Sequence, residues 1–162
     1  MSSDRDLDRD LAALSAGLLP GIALAAAPLG HGLQLIVGIE RGTTGRTVWR
    51  VLIDGPPGLA SDVRLTDTDM HTLRTVLDRA IAANAARAWR IGRNPVVLID
   101  IGECAVGLGV AGGVPWGIIT IRNGLLRFPA NDLARVRDAL AVAAERIGQA
   151  SVLSQPAGGP VQ

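Results

Sequence analysis

The second half of this 162-residue chain repeats the first, and a duplicated chain must fold as one structural unit used twice. The run Arg64-Leu65-Thr66-Asp67-Thr68-Asp69-Met70 lies over Arg127-Phe128-Pro129-Ala130-Asn131-Asp132-Leu133, 63 positions later. The apolar positions that follow stay in step. Met70, Leu73, Leu77, Ala80 and Asn84 fall on Leu133, Val136, Leu140, Ala143 and Ile147. Upstream, Trp49 to Gly55 resembles Trp116 to Gly124 at an offset of 67, and a longer Gly55–Asp62 loop in the first copy absorbs the difference.

Hydropathy periods translate each copy into a meander of three or four strands followed by one helix. Arg46 to Asp54 alternates, so Thr47, Trp49, Val51 and Ile53 share a core-facing side. Leu33 to Glu40 is apolar and β-branched, as suits a strand buried on both faces. Gly21 to Pro28 reads as a small-residue strand or a loop, and Val63 to Leu65 as a short strand. The next helix starts at Thr66 or Thr68 and runs to about Arg90. With Thr66 as the cap, Asp69 stands three residues on as the acid of a capping box. In the second copy, strands are expected at 96–101, 105–110, 116–122 and 125–128. Gly102-Glu103, Gly112-Gly113 and Asn123-Gly124 are expected as turns, and the last helix at 131–148. Leu7, Leu11, Leu14 and Leu18 recur at helical spacing ahead of Pro20-Gly21. The expected organisation is a short N-terminal helix in 1–20, repeats at 21–90 and 91–150, and a disordered tail at 151–162. The fold class is α+β, with helices packed on antiparallel sheets around a shared core.

Composition narrows the function classes. Net charge is +1, so no strong global field draws nucleic acid or membrane. All 16 basic residues are Arg, which fits a GC-rich coding bias. A single cysteine excludes an internal disulfide framework and a cysteine-based zinc site, and points to a reducing, cytoplasmic setting. The uncharged stretch Leu11–Gly30 has the length of a membrane span, but Pro20 and Pro28 interrupt it and acids precede it. Neither a span nor a signal peptide is expected.

Most motifs have a structural reading. Gly107-Leu-Gly109-Val-Ala-Gly112 fits the dinucleotide fingerprint, yet Gly113-Val114-Pro115-Trp116 follows where a helix must begin. Asp67, Asp69 and His71 have metal-ligand chemistry but occupy a first helical turn, and the second copy has Ala134 at the place of His71. His31 sits between glycines in a loop, and no hydrolytic elbow is present. Asp100 and Glu103 form the one acid pair worth testing for proton transfer, and Cys104 opens an apolar strand. No catalytic residue, metal or cofactor is expected.

The arginines are the remaining feature. Nine of them fall between residues 41 and 93, against five Asp. Arg46 and Arg50 share one strand face and Arg41 lies at a strand end, while Arg87, Trp89, Arg90 and Arg93 lie between the copies. A sheet face carrying Arg and aromatics holds single-stranded nucleic acid through phosphate charge and base stacking. The order strands–helix, strands–helix over 33–148 also resembles the Whirly family of single-strand nucleic-acid-binding proteins. The resemblance is one of topology. The family's lysine-rich DNA-contacting motif is absent here, so no residue role is carried over. The run Trp49–Ala80 is similar to part of the sterol-carrier-type domains, which lack the duplication.

Three readings follow. The leading one is a non-enzymatic protein–protein interaction module that self-associates, because apolar content is high and catalytic groups are few. The others are single-stranded nucleic-acid binding and apolar-ligand carriage. Local chemistry is expected where the copies differ.

Overall fold

The computed structural model describes residues 21–41, 47–86, 96–122 and 124–154. The first half forms β1 (Gly21–Pro28), β2 (Gln34–Arg41), β3 (Thr47–Asp54), β4 (Ser61–Leu65) and helix α1 (Asp67–Ala86). The second forms β5 (Val96–Ile101), β6 (Cys104–Ala111), β7 (Val114–Ile121), β8 (Gly124–Pro129), a 3-10 turn (Ala130–Asp132) and helix α2 (Leu133–Ser154). Each half is an antiparallel four-stranded meander, in the orders β1-β2-β3-β4 and β5-β6-β7-β8. The α+β expectation therefore stands, with four strands per copy and Gly21–Pro28 resolved as a strand. The expected N-terminal helix lies outside the described residues, as does the tail from residue 155. The start of that tail is instead helical, since α2 runs on to Ser154.

The strand register extends the duplication further than side chains reveal. Ala23 pairs with Gly38 and Ala25 with Val37, so Leu24 is the extra residue of a β-bulge. Val97 pairs with Gly107 and Ile99 with Val106, leaving Leu98 in the matching place. Both first strands thus carry the same bulge, which no hydropathy pattern marks.

Register also corrects the tryptophan match. Val51 pairs with Val63, and its structural counterpart Ile119 pairs with Leu126. On that frame Trp49 corresponds to Gly117 rather than Trp116. A slip of one residue on a strand exchanges faces. Trp49 therefore points into the core with Val51 and Ile53, while Trp116 lies on the other side of its strand from Ile119 and Ile121. Gly117 leaves the space on the core side, because a Cβ there would stand 2.5 Å from the Phe128 ring.

The helices exchange partners. α1 lies chiefly on β5 and β6 of the other half, and α2 lies chiefly on β1 and β2. The helices touch each other, and β4 meets β8 so closely that a Cβ on Gly124 would stand 2.6 Å from Val63 Cγ1. One continuous core results, with Leu35, Val37, Val51 and Ile53 from the first sheet and Val106, Ile119, Leu126 and Phe128 from the second. The helix stripe read from sequence fills it. Met70, Leu73, Leu77 and Ala80 are buried, and so are Leu133, Val136, Leu140 and Ala143. None of the described helices is long and apolar enough to cross a membrane.

Candidate functional site

Most of the polar groups singled out by sequence serve as joints. Thr66 and Asp69 form the expected capping box. The Asp69 N–H donates to Thr66 Oγ1 at 3.1 Å, and the Thr66 N–H donates to Asp69 Oδ2 at 3.2 Å. The same carboxylate receives Arg122 Nε at 3.1 Å from the β7–β8 turn of the other half, and Glu103 joins Arg122 at 3.3 Å. Burial pushes the Asp69 carboxyl up, but the guanidinium and the Thr66 bonds outweigh it and hold it below its ordinary value. Asp67 accepts the Trp49 indole N–H at 2.7 Å. His71 is exposed.

The hairpin carrying Arg122 differs from expectation. Ile121 pairs with Gly124, so the turn falls one residue before the expected Asn123-Gly124 pair, and Arg122 takes φ 50. That left-handed conformation aims its side chain at α1. The Gly102-Glu103 and Gly112-Gly113 turns fall where expected. The glycine fingerprint is strand β6 running into a turn, as its sequel required. Asp100 is exposed on β5, and Glu103 is paired with Arg122. Cys104 is buried, and desolvation, followed by the nearby Asp69 charge, pushes its thiol up to about 11.

Asp132 does not repeat the role of Asp69. No side-chain bond caps the turn it ends. Its carboxylate instead accepts the Gly30 N–H at 2.8 Å, tying the β1–β2 loop of the first half to the start of α2. Beside it, His31 packs at 5.3 Å from the Trp116 ring, which also has Arg127 at 6.0 Å. Arg127 donates to the Gly58 carbonyl at 2.7 Å. Both long loops of the first copy therefore lean on the second.

Of the sequence-nominated arginines, Arg46, Arg87, Arg90 and Arg93 lie outside the described residues, with Trp89. Arg41 ends β2. Arg50 faces Asp62 in a two-pronged pair at 2.8–3.2 Å, and the neighbouring Arg64 pairs with Glu40. Charge on this sheet face is largely matched locally.

An apolar concave feature lies elsewhere, along the outer edge of β1. A groove of about 310 Å³ runs between that strand and α2, lined by Ala25, Ala26, Ala27, Arg135, Ala139 and Val142, with Asp138 and Arg146 completing its rim. It exists because the halves differ there. On the register frame, Ile99, Asp100 and Ile101 of β5 stand where the first half has Ala25, Ala26 and Ala27. Val76 of α1 stands where α2 has Ala139. Larger side chains stand at the matching positions of the β5–α1 joint, where a smaller and more polar hollow of about 230 Å³ lies towards Thr68, Asp69, Ile101 and Arg122, while alanines open the β1–α2 joint. Two arginines of α2 span it. Arg146 donates to the Leu24 carbonyl at 2.9 Å and Arg135 to the Pro28 carbonyl at 3.0 Å. No family model and no curated protein matches the chain.

The groove was missed by sequence reading. Its one visible signal was the Ala25-Ala26-Ala27 run, which has meaning only once the bulge fixes Ile99-Asp100-Ile101 as its counterpart.

Proposed function

We propose that the protein is a non-enzymatic protein–protein interaction module that works through the β1–α2 groove, self-association included. The observation that carries this reading is the local failure of the duplication. Positions held by Ile99, Ile101 and Val76 in one joint are held by alanines in the other, which opens the larger and more apolar hollow. Two of the four large apolar residues exposed among those described sit at this edge: Ile22 (58 %) on β1 and Val142 (41 %) on α2. An exposed apolar strip beside a strand that is outermost among those described is the usual ground for a polypeptide partner. Of the carboxylates singled out from sequence, Asp69 is held in its cap and by Arg122, and Glu103 is paired with Arg122.

The test places a photo-crosslinking amino acid at Val142, and separately at Leu125, which is exposed on the second sheet. Both are carried in the full chain, in cells of the source organism. The expected result is a discrete polypeptide adduct from position 142 that disappears when Ala27→Ile and Ala139→Val fill the groove with the other copy's residues. An adduct of twice the chain mass identifies self-association. Adducts from position 125 alone, or adducts indifferent to groove filling, overturn the reading.

A further inference from the structure

Resting on that reading of the groove, we infer that its partner is an extended polypeptide segment in which small apolar residues are bracketed by two carboxylates about four residues apart. The argument starts from the edge of β1. The carbonyls of Leu24 and Pro28 both point outward, since each accepts an arginine of α2. A strand alternates with a period of two, so the peptide group of Ala26 shares the outward edge of Pro28 and lies between the two arginines. Edge strands are commonly protected from open-ended pairing. Here Arg135 and Arg146 cover both ends of the edge, which limits any incoming strand to a short stretch opposite Ala26.

Those guanidiniums also supply the charge rule. Each donates one of its five N–H groups to a β1 carbonyl, and a guanidinium with further N–H groups can take a carboxylate. Asp138, the one acid on the rim, is paired with Arg137 on its own helix at 2.9 Å. Arg135 also stands 3.9 Å from Asp132 but keeps further N–H groups, so both ends of the groove are lined by guanidinium, the Arg146 end the more cationic, and the floor is apolar. From Leu24 to Pro28 an extended chain covers about 13 Å, and eleven helical residues from Arg135 to Arg146 cover about 16 Å. A partner running alongside reaches both ends with acids at positions i and i+4. Its intervening side chains meet Ala25, Ala27 and Ala139, where the groove admits small apolar groups.

The test uses three fluorescein-labelled peptides on the full-length protein, read by anisotropy: Glu-Ala-Val-Ala-Glu, the same with Ser at both ends, and the same with Lys at both ends. The acidic peptide is expected to bind tightest, with about a fivefold loss for each bracket removed. The Arg135→Glu/Arg146→Glu variant is expected to prefer the lysine peptide. The groove-filled Ala27→Ile/Ala139→Val variant should bind none. Because the charge reversal also removes two helix–strand bonds, the comparison of peptides on the unmodified protein decides the matter if that variant fails to fold. Equal binding of all three peptides, abolished by groove filling, overturns the charge rule and leaves the groove reading standing. Binding of none up to millimolar concentration overturns the acidic-segment proposal, while the crosslinking experiment continues to judge the groove on its own.

Discussion

At the scale of single residues, matched positions have been given different work. Asp69 and Asp132 occupy equivalent places 63 apart, yet one caps its helix and receives Arg122, while the other holds the Gly30 amide. The bond to Arg122 makes Asp69 an acid-sensitive joint. Its carboxyl is held below the ordinary value of 3.8, with burial opposed and outweighed by Arg122 and Thr66. A depressed carboxyl contributes its full stabilisation above the unfolded-state pKa and loses it as pH falls through the folded one. Asp69→Asn is therefore expected to lower stability by about 1–2 kcal/mol at neutral pH, through loss of the charged bond to Arg122. The gap between variant and wild type should close progressively below the ordinary carboxylate value. Thermal unfolding followed from pH 7 down into the acid range checks this, and a gap independent of pH contradicts it.

At the scale of elements, the two meanders differ most in their loops. The first copy joins β1 to β2 across 29–33 and β3 to β4 across 55–60, whereas the second uses Gly102-Glu103 and Gly112-Gly113 for two of its turns. The longer loops are the ones that reach the other half, through Gly30, His31 and Gly58. The tight turns instead fix register. Gly112 and Gly113 have φ of 59 and 76, the paired left-handed conformation that matches strand twist. A β-branched residue is strained there, so Gly112→Val is expected to cost about 1–2 kcal/mol. Urea unfolding should show a lower midpoint at unchanged slope. A neutral result would mean that the β6–β7 turn carries little of the register.

At the scale of the whole molecule, the exchange of helices means that neither copy covers its own sheet. α1 covers β5 and β6, α2 covers β1 and β2, and β4 meets β8 between them. Most of what buries a sheet therefore comes from a distant part of the chain. Separated fragments 1–90 and 91–162 are expected to lack cooperative structure alone and to regain far-UV dichroism and a cooperative melt on mixing. Circular dichroism of each fragment and of the equimolar mixture tests this. Independent cooperative melting of either fragment would place its stability inside one copy.

The sequence by itself determined the elements. Periods of two and 3.6 located the strands and helices, Thr66 with Asp69 announced a cap, and the glycine pairs marked two of the turns. These are local properties, set by backbone sterics and by which face of a segment must leave water. The repeat was legible through its helices for the same reason, since Met70–Ala80 and Leu133–Ala143 share one buried stripe. Only the tertiary structure decided which helix covers which sheet, because either sheet would satisfy an apolar stripe. Only register decided that Trp49 answers to Gly117, and that Leu24 and Leu98 are the bulges. The groove depends on both decisions. Three alanines become a site only when a helix from the other copy lies across them and carries an alanine of its own.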